Sequence, residues 1–168
     1  MRNQRRCAVL LFLHLLLLCA ACGKQPAVFF PARETRRAFT LTVGERTLTG
    51  ELTILAYNDI RFTFSAPEGL TFFTCRADET GLATAVDGRA DRIDYETLPD
   101  DAPMKLLPAA LRKAVFENIP FTKTDGGYET AAAVCGTTCF VAFDEAGLLT
   151  AIRDDGGAFS CVFSDPVP

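Results

Sequence analysis

Seven cysteines carry most of the reactive chemistry of this 168-residue chain. Cys7, Cys19 and Cys22 lie near the N-terminus, and Cys75, Cys135, Cys139 and Cys161 lie in the body. Cys135 and Cys139 flank Gly136-Thr137-Thr138, so a hairpin there is expected to set them across from each other as a short disulfide. Cys75 shares parity with Phe73, and Cys161 sits between Phe159 and Phe163, so both are expected to face inward. Bridges and buried thiols both remain open for these four, and both outrank a metal site on the Cys135-x-x-x-Cys139 spacing. The carboxylate pairs Asp100-Asp101, Asp144-Glu145 and Asp154-Asp155 fall at turns, where acidic side chains accept backbone N–H groups. His14, the single histidine, lies in an apolar run near the N-terminus, so no histidine is left in the body as a base for a serine or cysteine nucleophile, and nothing marks a lysine for that role. There is no calcium-loop spacing and no phosphate-cradling glycine loop. No catalytic residue, metal or cofactor is expected.

The apolar run covers residues 8–18, close behind Arg2, Arg5 and Arg6. Eleven such residues fall short of the roughly 20 needed to span a bilayer as a helix, and a basic stretch followed by a short apolar one is the build of a secretory signal. Then comes Leu18-Cys19-Ala20-Ala21-Cys22-Gly23, which resembles the lipobox of bacterial lipoproteins, with Cys19 where that family usually has leucine. The resemblance implies cleavage before Cys22, whose thiol takes a diacylglycerol. Plain secretion after an Ala-x-Ala-like site is the alternative. The expected organisation is a signal peptide over 1–21, an attachment cysteine and tether over 22–37, and one domain over 38–168. The mature chain keeps 14 basic and 21 acidic side chains, a formal charge of −7, the wrong sign for binding nucleic acid through phosphates. The expected location is the extracytoplasmic face of the cell membrane, held by the lipid.

From Ala38 the apolar pattern has period two, the mark of strands with one buried face. Phe39, Leu41 and Val43 alternate with threonines; Leu48, Leu52 and Ile54 follow, and then Ile60, Phe62 and Phe64. A parity shift at Phe72-Phe73 predicts a β-bulge. Two further strands, 82–86 and 89–95, meet at Asp87-Gly88, a dipeptide suited to a tight hairpin turn. Residues 104–118 alone read as a helix, with Leu107, Leu111 and Val115 on one face and a start expected near Pro108. Four strands close the chain, over 128–135, 138–144, 148–153 and 158–164. The expected fold is α+β: a large curved antiparallel sheet of about ten strands, a half-barrel, with one main helix on its concave face.

This order of parts resembles the LolA/LolB-like fold of bacterial lipoprotein carriers. The likeness is carried by residues 62–75 with their Pro67-Glu68-Gly69 corner and by Val86-Asp87-Gly88-Arg89 running into Ile93-Asp94-Tyr95. It continues in Met104-Lys105-Leu106-Leu107 after Pro103, the run from Phe140 to Leu148 across Asp144-Glu145-Ala146-Gly147, and the closing residues 159–164. It also takes in small surface lipoproteins of Gram-positive bacteria. The carriers have a helix near the N-terminus, whereas here strands begin almost at once. In the carriers the concave face binds acyl chains, and the resemblance implies a cavity here lined by Phe62, Phe64, Phe73, Leu107, Leu111, Val115, Phe143 and Phe163. A one-sided sheet needs the same alternating phenylalanines to build a dry, filled core. The expected function is therefore that of a non-enzymatic, membrane-anchored lipoprotein with a hydrophobic or lipid ligand. The alternative is an accessory or scaffold protein of the cell envelope with a filled core, acting through another envelope protein.

Overall fold

The computed structural model describes residues 29–67, 73–86 and 88–166. The signal segment, Cys22, Glu68 and Gly69 of the expected corner, Phe72 of the expected bulge and Asp87 lie outside the described residues.

Six strands come first: β1 (Thr35–Val43), β2 (Arg46–Ala56), β3 (Asp59–Ala66), β4 (Thr74–Ala77), β5 (Gly81–Val86) and β6 (Arg89–Asp94). Helix α1 (Pro103–Phe116) follows, then β7 (Thr122–Thr124), β8 (Gly127–Val134), β9 (Thr137–Phe143), β10 (Leu149–Asp154) and β11 (Phe159–Ser164). All eleven strands form one antiparallel sheet in the order β6-β5-β4-β3-β2-β1-β11-β10-β9-β8-β7. It is an open, curved half-barrel, and the fold is α+β as its sequence pattern implies. Two meanders, β1–β6 and β7–β11, meet where the first and last strands pair, Phe39 opposite Phe163 and Leu41 opposite Cys161.

This order explains why there is a helix and where it lies. Strands β6 and β7 are the two opposite edges of the sheet, and the chain between them must cross a face. It crosses as α1, whose Leu106, Leu107, Ala110, Leu111, Ala114 and Val115 are buried against the inward residues of the strands. Along β3 those are Ile60, Phe62 and Phe64, while Arg61, Thr63 and Ser65 are exposed, a period-two division with one wet face. In the row Phe39–Gly50–Phe64 the glycine leaves the space that the Phe39 ring takes up, and the ring meets Phe64 edge-on at 5.5 Å.

Two expectations about elements are corrected. The helix starts at Pro103, not near Pro108: Pro103 takes the first-turn position where a missing N–H costs nothing, and the N–H groups of Lys105 and Leu106 bond to the Ala102 carbonyl. Pro108 is carried inside the helix, its ring fully buried in the core. The second correction is β7, three exposed residues with no alternation to betray them, which takes the count from ten to eleven.

Candidate functional site

The concave face is built by rows of inward side chains that the strand register lines up. Phe62 stands beside Leu52 on one flank and Cys75 on the other, and Thr84 follows on β5. Of the eight residues expected to line a cavity, Phe62, Phe64, Leu107, Leu111, Val115, Phe143 and Phe163 lie in a single buried cluster, and Phe73 packs against its margin. Helix and sheet interlock: the side chains of Leu107 and Leu111 are wholly enclosed. Val115 also reaches a cleft of about 120 Å³ between the N-terminal segment and the end of α1.

That N-terminal segment closes one end of the concave face. Phe29 stacks on Tyr128 at 4.0 Å and meets Phe121 edge-on at 4.8 Å, while the Ala32 N–H bonds to the Gly147 carbonyl at 2.9 Å. Phe30, next in sequence, is left outside.

Two buried arginines were hidden from the sequence reading. Arg112 leaves the helix and donates through Nε to the Tyr57 carbonyl at 3.2 Å and through Nη2 to the Asp78 carbonyl. Nη2 also reaches the Tyr95 hydroxyl at 3.4 Å, and the guanidinium lies 6.0 Å from the Tyr95 ring centre. The cation thus ties α1 to the β2–β3 turn and to the end of β4 with carbonyl dipoles and a π face in place of a carboxylate. Burial pushes the Tyr95 hydroxyl up from its ordinary pKa, with Arg112 pulling against it. Arg37 donates to Asp165, which continues the β1–β11 register by one residue, and its Nε has no partner among the described residues. A signal for both existed in the pattern: Arg37 shares parity with Phe39 and Leu41, and Arg112 follows Leu111 four residues after Pro108.

Two of the three acidic pairs serve turns through one member, Asp154 and Asp144. Asp154 is buried, and its oxygens accept the N–H groups of Ala158 at 3.0 Å and Phe159 at 2.8 Å. Burial would raise its pKa, but these N–H bonds outweigh that and hold the carboxyl below its ordinary value. Asp144 accepts from Ala146 at 2.9 Å and Leu148 at 2.8 Å, and Asp100 pairs with Lys105 at 2.6 Å.

The cysteine pair is not a cross-strand pair. The β8–β9 hairpin turns on two residues, Cys135 and Gly136, with Cys135 at φ 49°, so Cys139 lies opposite Ala132. Cys135 is exposed at the tip and Cys139 is buried; both are free thiols, as are Cys75 and Cys161 inside the sheet. Burial pushes the Cys75 and Cys161 thiols up to about 12 and Cys139 up to about 11.

On the outer face, the register lines up Arg36, Thr53, Arg61, Arg76, Ala83 and Arg92 across six strands. Beside this row run two open clefts that share Thr63, of about 450 and 580 Å³. Each arginine has a carboxylate: Arg36 pairs with Glu51, Arg61 and Arg76 share Asp59, and Arg92 grips Asp78 with two bonds of 2.8 and 2.9 Å. Arg92 holds the Asp78 carboxyl well below the usual carboxylate range. Positive and negative groups alternate here, so the row presents no single-sign field to a ligand.

No family model matches the sequence, and no curated protein matches it. Among solved structures, the chain is similar to a LolA superfamily protein from Nitrosomonas europaea, with 8% sequence identity, a TM-score of 0.42, and coverage of 83% of this chain and 89% of that one.

Proposed function

We propose that this chain is a lipid-anchored bacterial envelope protein, attached through Cys22, that works by binding through its sheet–helix unit and not by catalysis. The observation that supports it is the sorting of side chains: the concave wall and the facing helix are apolar, and the buried polar groups are bonded mainly to backbone. Arg112 serves carbonyls, Thr130 donates to the Pro120 carbonyl at 2.7 Å, and Asp154 accepts two N–H groups. In this reading the helix is a closed lid, and an acyl chain or similar hydrophobic ligand enters when α1 lifts from the sheet. A second reading, an accessory protein with a permanently filled core, is favoured by the complete enclosure of Leu107 and Leu111.

Leu111→Ala separates the two. In a permanently filled core it removes packed methyl groups and is expected to cost about 2–5 kcal/mol, with no binding of a fluorescent fatty acid by either form. In a lid that opens, the wild type binds the fatty acid and the variant binds it with altered affinity. A wild type that binds no lipid probe and releases no non-covalently bound acyl chains on extraction sinks the ligand reading and leaves the accessory one.

A further inference from the structure

We propose that the end of the molecule around Phe30 is a membrane-contacting surface, with Phe30, Phe116, Tyr57 and Arg33 lying against the bilayer that holds Cys22. This rests on the anchored reading above. Phe30 is 76% exposed, the most of any large apolar side chain among the described residues, and it is held in that position. Its neighbour Phe29 is pinned in a cage of Phe121, Tyr128 and Phe143, and Ala32 is bonded to the β9–β10 turn, so the phenylalanine between them is carried outward on a fixed segment.

A partly exposed apolar surface continues from there through Phe116, which is half-buried against the core. Phe30 and Phe116 line the same small cleft, with Arg33 and Glu117 at its rim. The Phe116 ring lies 5.8 Å from that of Tyr57, itself exposed in the β2–β3 turn, and Leu55 is exposed two residues before it. The other exposed large apolar residues, Val86 and Val162, stand apart at the end of β5 and on the outer face of β11. Isolated apolar residues of that kind are ordinary; a rigidly presented group of aromatics is not.

Chain length selects the bilayer as the occupant. Six residues separate Cys22 from Phe29, and a fully extended chain reaches at most ~3.6 Å per residue, so the acylated cysteine is held within about 25 Å of this end. Phenylalanine and tyrosine suit the boundary between headgroups and acyl chains, and Arg33 suits the headgroups. The mature chain as a whole carries a formal charge of −7, which turns its acidic faces away from anionic lipid.

The test is photo-crosslinking of the full chain in its native membrane, with benzoylphenylalanine placed in turn at positions 30, 57, 86 and 162. Trypsin cleaves after Lys24, which separates the peptide holding position 30 from the one holding Cys22, so anchor and contact are read independently by mass spectrometry. Phospholipid adducts several-fold more abundant at 30 and 57 than at 86 and 162 are expected. Equal or absent adducts with an acylated Cys22 overturn the docking surface and leave the anchor standing. An unacylated Cys22 overturns both, and protein adducts at position 30 in place of lipid assign the surface to a protein partner.

Discussion

A thiol enclosed by hydrocarbon is a poor acid, and Cys75, Cys139 and Cys161 are all enclosed in the sheet. Their pKa values, about 11 to 12, stand above the ordinary 9.0 they regain on unfolding. A raised folded value contributes stability that is fully present below pH 9 and is lost as pH climbs from 9 toward 12, because only the unfolded chain releases the proton. Each thiol adds a slope of about 1.4 kcal/mol per pH unit in that window. The double variant Cys75→Ala, Cys161→Ala is therefore expected to start less stable but to lose stability less steeply above pH 9, as read from denaturant midpoints. An unchanged slope would falsify this account. The same enclosure predicts that Cys135 alone reacts quickly with a thiol reagent in the native protein, and that all four body cysteines react once the chain is denatured without reductant. A protected pair in the denatured chain would restore the disulfide.

At the level of elements, β2 depends on the absence of a side chain in its middle. A Cβ on Gly50 would lie 2.1 Å from the Thr63 carbonyl oxygen and 2.9 Å from the Phe39 ring, so the strands or the ring must move to admit it. Gly50→Ala is expected to cost about 2–4 kcal/mol, measured by denaturant unfolding. Gly44→Ala, in an open turn at φ 56° with nothing within 4 Å, is expected to cost only about 1 kcal/mol. Equal losses at the two sites would show that close packing at Gly50 is not the cause. Most strands were legible because one wet face and one dry face impose period two on the sequence, as in Phe39, Leu41 and Ile60, Phe62, Phe64. β7 was not legible, since three exposed residues on an edge carry no contrast. The helix start was misplaced because a first-turn proline and an interior one look alike until packing shows which is buried. The cysteine pairing failed on a register that a two-residue turn sets and composition does not reveal. Arg37 and Arg112 sat at apolar positions of their elements, but a charge at such a position reads as a break in the pattern until the acceptors that receive it, a carboxylate for Arg37 and two backbone carbonyls and a hydroxyl for Arg112, are known.

For the molecule as a whole, the proposed anchor would decide where it acts. Cys22→Ser removes the thiol that would carry diacylglycerol, so the variant is expected to lose metabolic palmitate label and either keep its signal segment or leave the membrane. Label that survives the substitution would show that the attachment point is elsewhere. The order in which the strands emerge also bears on the meeting of β1 and β11. In a chain exported from its N-terminus, β1 is among the first strands to emerge and β11 is the last. β2 covers one flank of β1 early, while the other flank stays bare until Phe163 arrives opposite Phe39. Each bond in that seam closes a loop that contains the rest of the domain, an arrangement that makes folding slow. A chain halted before Phe159 would therefore hold two separate meanders, each with a sticky inner edge. The seam makes emergence of β11 the event that turns the two halves into one protein.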